Sequence, residues 1–172
     1  MKTKKLAAQC ITCLLAILPV VAAAQPYVIS TDGNEVTDLK TGLIWRRCAE
    51  GMILSGTTCI ATTSACAHAS TVTPATFTHE EALKCAATIS AASQVPWRLP
   101  NIKELVSIAD KSLSNPAIDP LAFPATPVNY FWSSSPFVGY PASAWDVNFS
   151  DGFVRSNSRY SSDYVRLVRA GQ

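Results

Sequence analysis

The sequence predicts an α+β domain in which two helices pack on a mostly antiparallel sheet, with two disulfides tying down an irregular segment. Three observations lead there. Trp145, Val147 and Phe149 alternate with Asp146 and Asn148 just ahead of the turn signal Ser150-Asp151-Gly152, the period-2 pattern of a hairpin strand with one dry and one wet face. Thr78 with Glu81, and Asn101 with Glu104, each precede apolar residues at helical spacing, which marks two helix starts. Four cysteines lie beyond an apolar leader, an even number in a chain expected to be exported.

The leader comes first. Lys2, Lys4 and Lys5 precede an apolar stretch from Leu6 to Val21, interrupted by Gln9, Cys10, Thr12 and Cys13, and Ala22, Ala23 and Ala24 follow. This is the layout of a secretory signal peptide over residues 1–24, cleaved before Gln25. Its strongly apolar part, from Ile11 to Ala24, is about 14 residues, short of the roughly 20 that span a bilayer. The expected organisation is therefore a signal peptide and one domain over residues 25–172, extracytoplasmic in the periplasm, at the cell surface or secreted, with no integral membrane segment after cleavage.

Beyond the leader, Tyr27 to Ile29 and Leu43 to Trp45 read as short strands bounded by Asp32-Gly33-Asn34 and Thr41-Gly42. From Arg47 to Phe77 the chain is rich in Thr, Ser, Ala and Gly and holds Cys48, Cys59 and Cys66; the expectation is a stapled loop without regular structure. The Thr78 capping box leads into Ala82, Leu83, Cys85, Ala86 and Ile89, a helix of about 12 residues. Asn101 caps a shorter one, about eight residues, with Leu105, Val106, Ile108 and Ala109. Pro116, Pro120, Pro124 and Pro127 then exclude regular helix or central strand up to Asn129. Tyr130 to Ser133 is an aromatic strand, the 145–155 segment a hairpin, and Tyr164 to Arg169 a closing strand.

Cys48, Cys59, Cys66 and Cys85 allow three pairings. Intervals of 10, 6 and 18 residues lack the close pairs of a zinc knuckle. Short local loops favour Cys48 with Cys59 and Cys66 with Cys85, each bridge contributing roughly 3 kcal/mol in the chain-entropy view. The chain of 172 residues is 48% hydrophobic and carries 14 Lys and Arg against 12 Asp and Glu, for a net charge of +2. Three of those cations lie in the leader, so the mature domain is close to neutral and no nucleic-acid partner is expected.

Six strings in order, VTDLKTGLIW (36–45), EEALKC (80–85), WRLPNIKEL (97–105), FWSSS (131–135), AWDVNFSDG (144–152) and VRLVR (165–169), resemble the Lcl C-terminal domain family, named for the terminal domain of a bacterial collagen-like adhesin. More distantly, WRLP before a helix and a final R-x-V-R strand are similar to the formylglycine-generating enzyme and C-type-lectin-like folds. The resemblance implies a C-type-lectin-like, exported bacterial module without established catalysis, in some members attached to adhesins that bind sulfated or other polysaccharides. With seven glycines this chain lacks the collagen-like repeat of the namesake, so trimerisation through such a stalk does not transfer.

The chemistry agrees with a binding role. Ser133, Ser134 and Ser135 lack a G-x-S-x-G elbow, His68 and His79 are the histidines, and no cysteine follows Cys85 for a formylglycine-type oxidase. The expectation is no enzyme, no cofactor and no resident metal, although Asp146, Asn148 and Asp151 are the oxygens that a calcium site would draw on. Arg98 and Glu104 read as a pair fixing the second helix, and Trp45, Trp97, Trp132 and Trp145 mainly as core. Arg155, Arg159 and Tyr160, with Asp146 and Asn148, are the candidate ligand residues, because guanidinium forks suit sulfate and carboxylate and a tyrosine stacks on a sugar ring. Arg166 and Arg169 read as strand residues satisfied by internal carboxylates. The expected partner is a polysaccharide, the alternative a cell-envelope protein bound by a structural or assembly component.

Overall fold

The computed structural model describes residues 26–62, 66 and 75–171; the assigned leader and His68 lie outside the described residues. Strands β1 (Tyr27–Ile29), β2 (Glu35–Asp38), β3 (Leu43–Arg46), β4 (Met52–Ser55) and β5 (Thr58–Ala61) precede helices α1 (His79–Ser93) and α2 (Ile102–Ser107). Strands β6 (Tyr130–Pro136), β7 (Ser143–Asn148), β8 (Phe153–Ser158) and β9 (Val168–Ala170) follow. They form a four-stranded sheet ordered β1-β2-β3-β9, a β4-β5 hairpin and a three-stranded β6-β7-β8 sheet, with antiparallel pairing throughout these ladders. The α+β class holds, and so does the pairing Cys48–Cys59 and Cys66–Cys85, with Cα separations of 5.6 and 5.2 Å.

Each helix begins where its capping box says. The Thr78 N–H donates to Glu81 Oε2 at 2.8 Å and the Asn101 N–H to Glu104 Oε2 at 2.8 Å, while the Thr78 and Asn101 side chains accept from the third helical amide, so otherwise unpaired donors are satisfied. Helix α1 runs 15 residues rather than about 12, because Ala91 and Ala92 carry it past the last apolar repeat until Gln94 turns left-handed at φ 56°. Helix α2 is six residues. Arg98 forks onto Glu104 with two bonds of 2.7 Å and exchanges backbone bonds with Val168, so this pair does tie α2 to the β9 end of the sheet.

The two helices cover opposite faces of the β6-β7-β8 sheet. Trp132 and Ala144 pack with Ala82, Ala86 and Ile89 of α1; Phe131 and Val147 pack with Leu105 and Ile108 of the α2 side. Fully burying one such aliphatic side chain contributes about 1.5–3 kcal/mol. Trp45, Trp97 and Trp132 are core, whereas Trp145 is half-buried, its ring edge-on to Phe137.

Several sequence expectations are corrected. The segment after Arg47 is not wholly irregular: Ser55 pairs with Thr58 across a two-residue turn at Gly56, whose φ of +62° suits the tight hairpin turn. Strand β2 lacks an apolar alternation to mark it in the sequence, because one of its inward residues is Asp38, buried to cap the following turn through Lys40 N and Thr41 Oγ1. The closing strand is split. Tyr164 bonds β6 through Tyr130 and Trp132, and regular pairing with β3 starts only at Val168. Asp146, expected on the wet face, is completely buried, since that face lies under α1 and the chain near Asp163.

Arg166 lies at the junction of these pieces, completely buried. Its Nη1 donates to the carbonyls of Arg46 (2.9 Å) and Arg47, its Nη2 to Thr126 Oγ1 (2.8 Å), and its guanidinium lies over Phe123 (4.9 Å) and Phe131 (5.7 Å). Two carbonyls and a hydroxyl accept from its Nη atoms, not the internal carboxylate expected from sequence, and its buried Nε has no partner among the described residues; Arg169 does meet a carboxylate, Glu35, at 2.6 Å. Burial lowers the Arg166 pKa and the Glu50 charge opposes that shift. Urea unfolding should show Arg166→Ala losing about 3–5 kcal/mol, because buried acceptors are orphaned. Arg169→Ala, which breaks a more exposed pair, should lose about 1 kcal/mol or less.

Candidate functional site

At one end of the β6-β7-β8 sheet, the 137–142 loop and the 159–163 segment meet the start of α1. Backbone bonds lock the three together: Arg159 N–H to Ala142 carbonyl at 2.9 Å, His79 N–H to Arg159 carbonyl at 3.0 Å, and Asp163 N–H to Phe77 carbonyl at 3.0 Å. Between them is a cavity of about 330 Å3 bordered by His79, Leu83, Pro141, Ala142, Arg159 and Tyr160. Its rim also holds Glu80, whose carboxylate is ion-paired with Lys84 at 2.6 Å. Tyr160 is 86% exposed, and the adjoining loop carries Val138 at 93% and Tyr140 at 62%. Arg159 is held by a single bond of 3.3 Å from Nε to the Ser143 carbonyl.

His79 forms the buried wall. Its Nε2 meets the Ser133 carbonyl at 3.0 Å and its ring stands edge-on to Trp132 at 5.3 Å. Burial pushes its pKa down, against the pull of the Ser133 bond, so at neutral pH the ring is uncharged. The Ser133 hydroxyl donates to Trp145 O at 2.7 Å. Histidine and hydroxyl therefore do not pair as a nucleophile and its base.

Arg155 and Asp146 are brought together, but as an internal pair. Arg155 Nε lies 3.3 Å from both Asp146 oxygens, and its guanidinium sits 3.3 Å from the Tyr130 ring centroid. Asp163, not foreseen, hydrogen-bonds Asp146 and receives the Asn157 amide at 3.3 Å. Burial, reinforced by the Asp163 charge and opposed by Arg155, pushes Asp146 up to about 7; burial also raises Asp163. Asn148 and Asp151 serve the hairpin instead: Asn148 Oδ1 accepts from Ser150 N and Asp151 Oδ1 from Phe153 N, around Gly152 at φ +76°. Asp146 is turned into the protein and these two into their own turn, so the three oxygens do not converge.

A second cavity, about 390 Å3, lies between β2, β3, the β4-β5 hairpin and the segment after α1, with Arg46, Glu50, Met52 and Trp97 in its walls. Two of its carboxylates are ion-paired, Glu50 with Arg46 at 3.2 Å and Glu35 with Arg169, and Asp32 is hydrogen-bonded by the neutral side chains of Ser30 and Asn34. Arg46 and Arg169 also pack on the Trp97 ring, at 5.3 and 5.4 Å. Glu50, Cys66 and Cys85 converge within 4.8 Å, yet both sulfurs are committed to the disulfide and offer no thiolate.

Fold and surface together define a disulfide-stapled α+β module with one end built of loops that expose Tyr140 and Tyr160. The Lcl C-terminal domain family matches the chain over residues 34–169, and the chain belongs to that family. None of the curated proteins compared with it matches. Among the described residues no helix is long and apolar enough to cross a membrane, and two disulfides suit an oxidising compartment. Of the residues proposed from sequence, Arg159 and Tyr160 lie together at the open cavity, whereas Arg155, Asp146 and Asn148 are engaged internally. His79, Leu83 and Pro141 join the site from distant sequence, with no local signal. In thermal unfolding, Arg155→Ala should lower stability by about 1–3 kcal/mol by leaving a buried carboxyl without its donor, while Tyr160→Ala stays within about 0.5 kcal/mol of wild type.

Proposed function

We propose that this protein is an exported, non-enzymatic binding module whose ligand is a glycan, acidic or sulfated, taken by the end formed by the 137–142 and 159–163 segments. The observation that carries the reading is the exposure of Tyr160 beside Arg159 at the rim of a pre-formed cavity. A tyrosine ring offers a flat apolar face for a sugar, and a guanidinium supplies paired donors for sulfate or carboxylate. Membership of a family named for an adhesin's terminal domain supports surface attachment as the role. The Ser133 hydroxyl donates to Trp145 O and His79 Nε2 meets the Ser133 carbonyl, an arrangement that supports binding over serine-based hydrolysis.

A protein partner in the cell envelope is the second reading. It draws on the cross-strand pair Ile53 and Ile60, exposed at 52% and 45% on the β4-β5 hairpin, since an outward apolar pair suits a protein surface.

The test is binding of the oxidised domain to dextran sulfate, polygalacturonate and unmodified dextran at low and high salt. Salt-sensitive binding to the anionic polymers, reduced about tenfold or more by Arg159→Ala and by Tyr160→Ala, is expected. Loss of binding on changing Ile53 and Ile60, with those two variants unaffected, would favour the protein-partner reading.

A further inference from the structure

Two buried carboxyls lie beneath the segment that carries Arg159 and Tyr160. Asp146 on β7 is completely buried and hydrogen-bonded to Asp163, which is almost as buried. One guanidinium, Arg155 from β8, faces the pair and is itself pressed on Tyr130 from β6. Helix α1 brings His79 to this side of the sheet, but that ring is spent on the Ser133 carbonyl and its charged neighbour is Arg159. Two carboxyls and one cation in a dry site balance only when one carboxyl keeps its proton, because two adjacent buried carboxylates repel.

Asp163 is also the anchor of the ligand-bearing segment. Its backbone exchanges bonds of 2.9 and 3.0 Å with Phe77, just ahead of α1. Its carboxyl receives Asn157 Nδ2, and Asn157 Oδ1 accepts from Ser161 Oγ at 3.2 Å. Residues 157, 161 and 163 are thus linked through side chains whose last member is the carboxyl pair.

We propose that the Asp146–Asp163 pair is a proton-operated latch on the 159–163 segment: the shared proton holds Arg159 and Tyr160 in place over the cavity, and its loss releases them. The latch deepens the binding reading above and rests on it only for the effect on ligand. The sign follows from which state binds the proton. Both carboxyls are harder to ionise in the fold than in the unfolded chain. The closed form therefore gains over the open one at low pH, loses that gain progressively as pH rises from the ordinary carboxylate range to the folded value of Asp146, about 7, and changes no further above it. Ligand affinity should fall in the same window, by up to about tenfold per pH unit for one linked proton.

Two measurements on the oxidised domain separate the claims. The first, without ligand, is amide hydrogen exchange at Arg159, Ser161 and Asp163 between pH 5.5 and 8.5, corrected for intrinsic rates. Wild type should lose protection progressively up to about pH 7 and level off above it, and Asp146→Asn, whose amide donates permanently to Asp163, should keep it. Protection that is flat with pH, or that falls alike in wild type and Asp146→Asn, overturns the latch. If that variant does not fold, carboxyl-carbon NMR of wild type decides: titration of Asp146 near neutral pH together with shifts in 159–163 supports the latch, and ionisation in the ordinary carboxylate range contradicts it. The second is dextran sulfate binding across the same range, a probe whose sulfates do not titrate there. Protection that follows the predicted course without any sulfate binding leaves the latch standing and defeats only the glycan reading. Sulfate binding that is independent of pH while protection changes overturns the latch as a control on the site.

Discussion

The buried guanidinium of Arg166 is the constraint around which the molecule is arranged. It gathers the carbonyls at the end of β3, the hydroxyl of Thr126 in the proline-rich segment, and the rings of Phe123 and Phe131. The end of β3 and the 123–131 stretch lie some eighty residues apart in the chain, and both lie far from Arg166. A hydrophobic residue at position 166 could fill the same volume, but it would leave the turning backbone after β3 without donors, and buried carbonyls are costly when unpaired. The chain on either side then has no freedom: Val165 and Leu167 face one core cluster and Val168 the other. The closing segment crosses between two cores with Arg166 used as an internal clamp.

That arrangement makes the opposite end of the β6-β7-β8 sheet a stiff platform for loops. Helix α1 is fixed at its start by the Thr78 capping box and along its length by the Cys66–Cys85 bridge. The 137–142 and 159–163 segments are tied to that start by backbone bonds. Exposed Tyr160, Tyr140 and Val138 are therefore presented from anchored backbone, which reduces the ordering cost of binding. The second cavity differs in that Glu50 and Glu35 are each already paired with an arginine in or beside its wall.

Sequence revealed what depends on local rules. Both capping boxes, the 148–153 turn, the proline-rich segment without regular structure and the cysteine pairing all follow from residues close together in the chain. Long-range placement was hidden. Nothing near Asp146 announces that α1 and Asp163 will seal its face, so its alternation with Val147 suggested solvent. Nothing near Arg155 announces that Asp146 and Tyr130 will occupy it. Arg159 and Tyr160 were legible as a surface pair because they sit in a polar stretch, but the wall they share with His79, Leu83 and Pro141 is assembled across some eighty residues of chain.

The measurement that bears most directly on this account is a map of amide hydrogen exchange across the whole domain with and without saturating dextran sulfate at pH 6. The account predicts added protection confined to residues 137–142, 159–163 and the first turn of α1, with the Arg166 junction already protected and unchanged. Added protection around Arg46, Met52 and Trp97 instead, or no change at any amide, would contradict it.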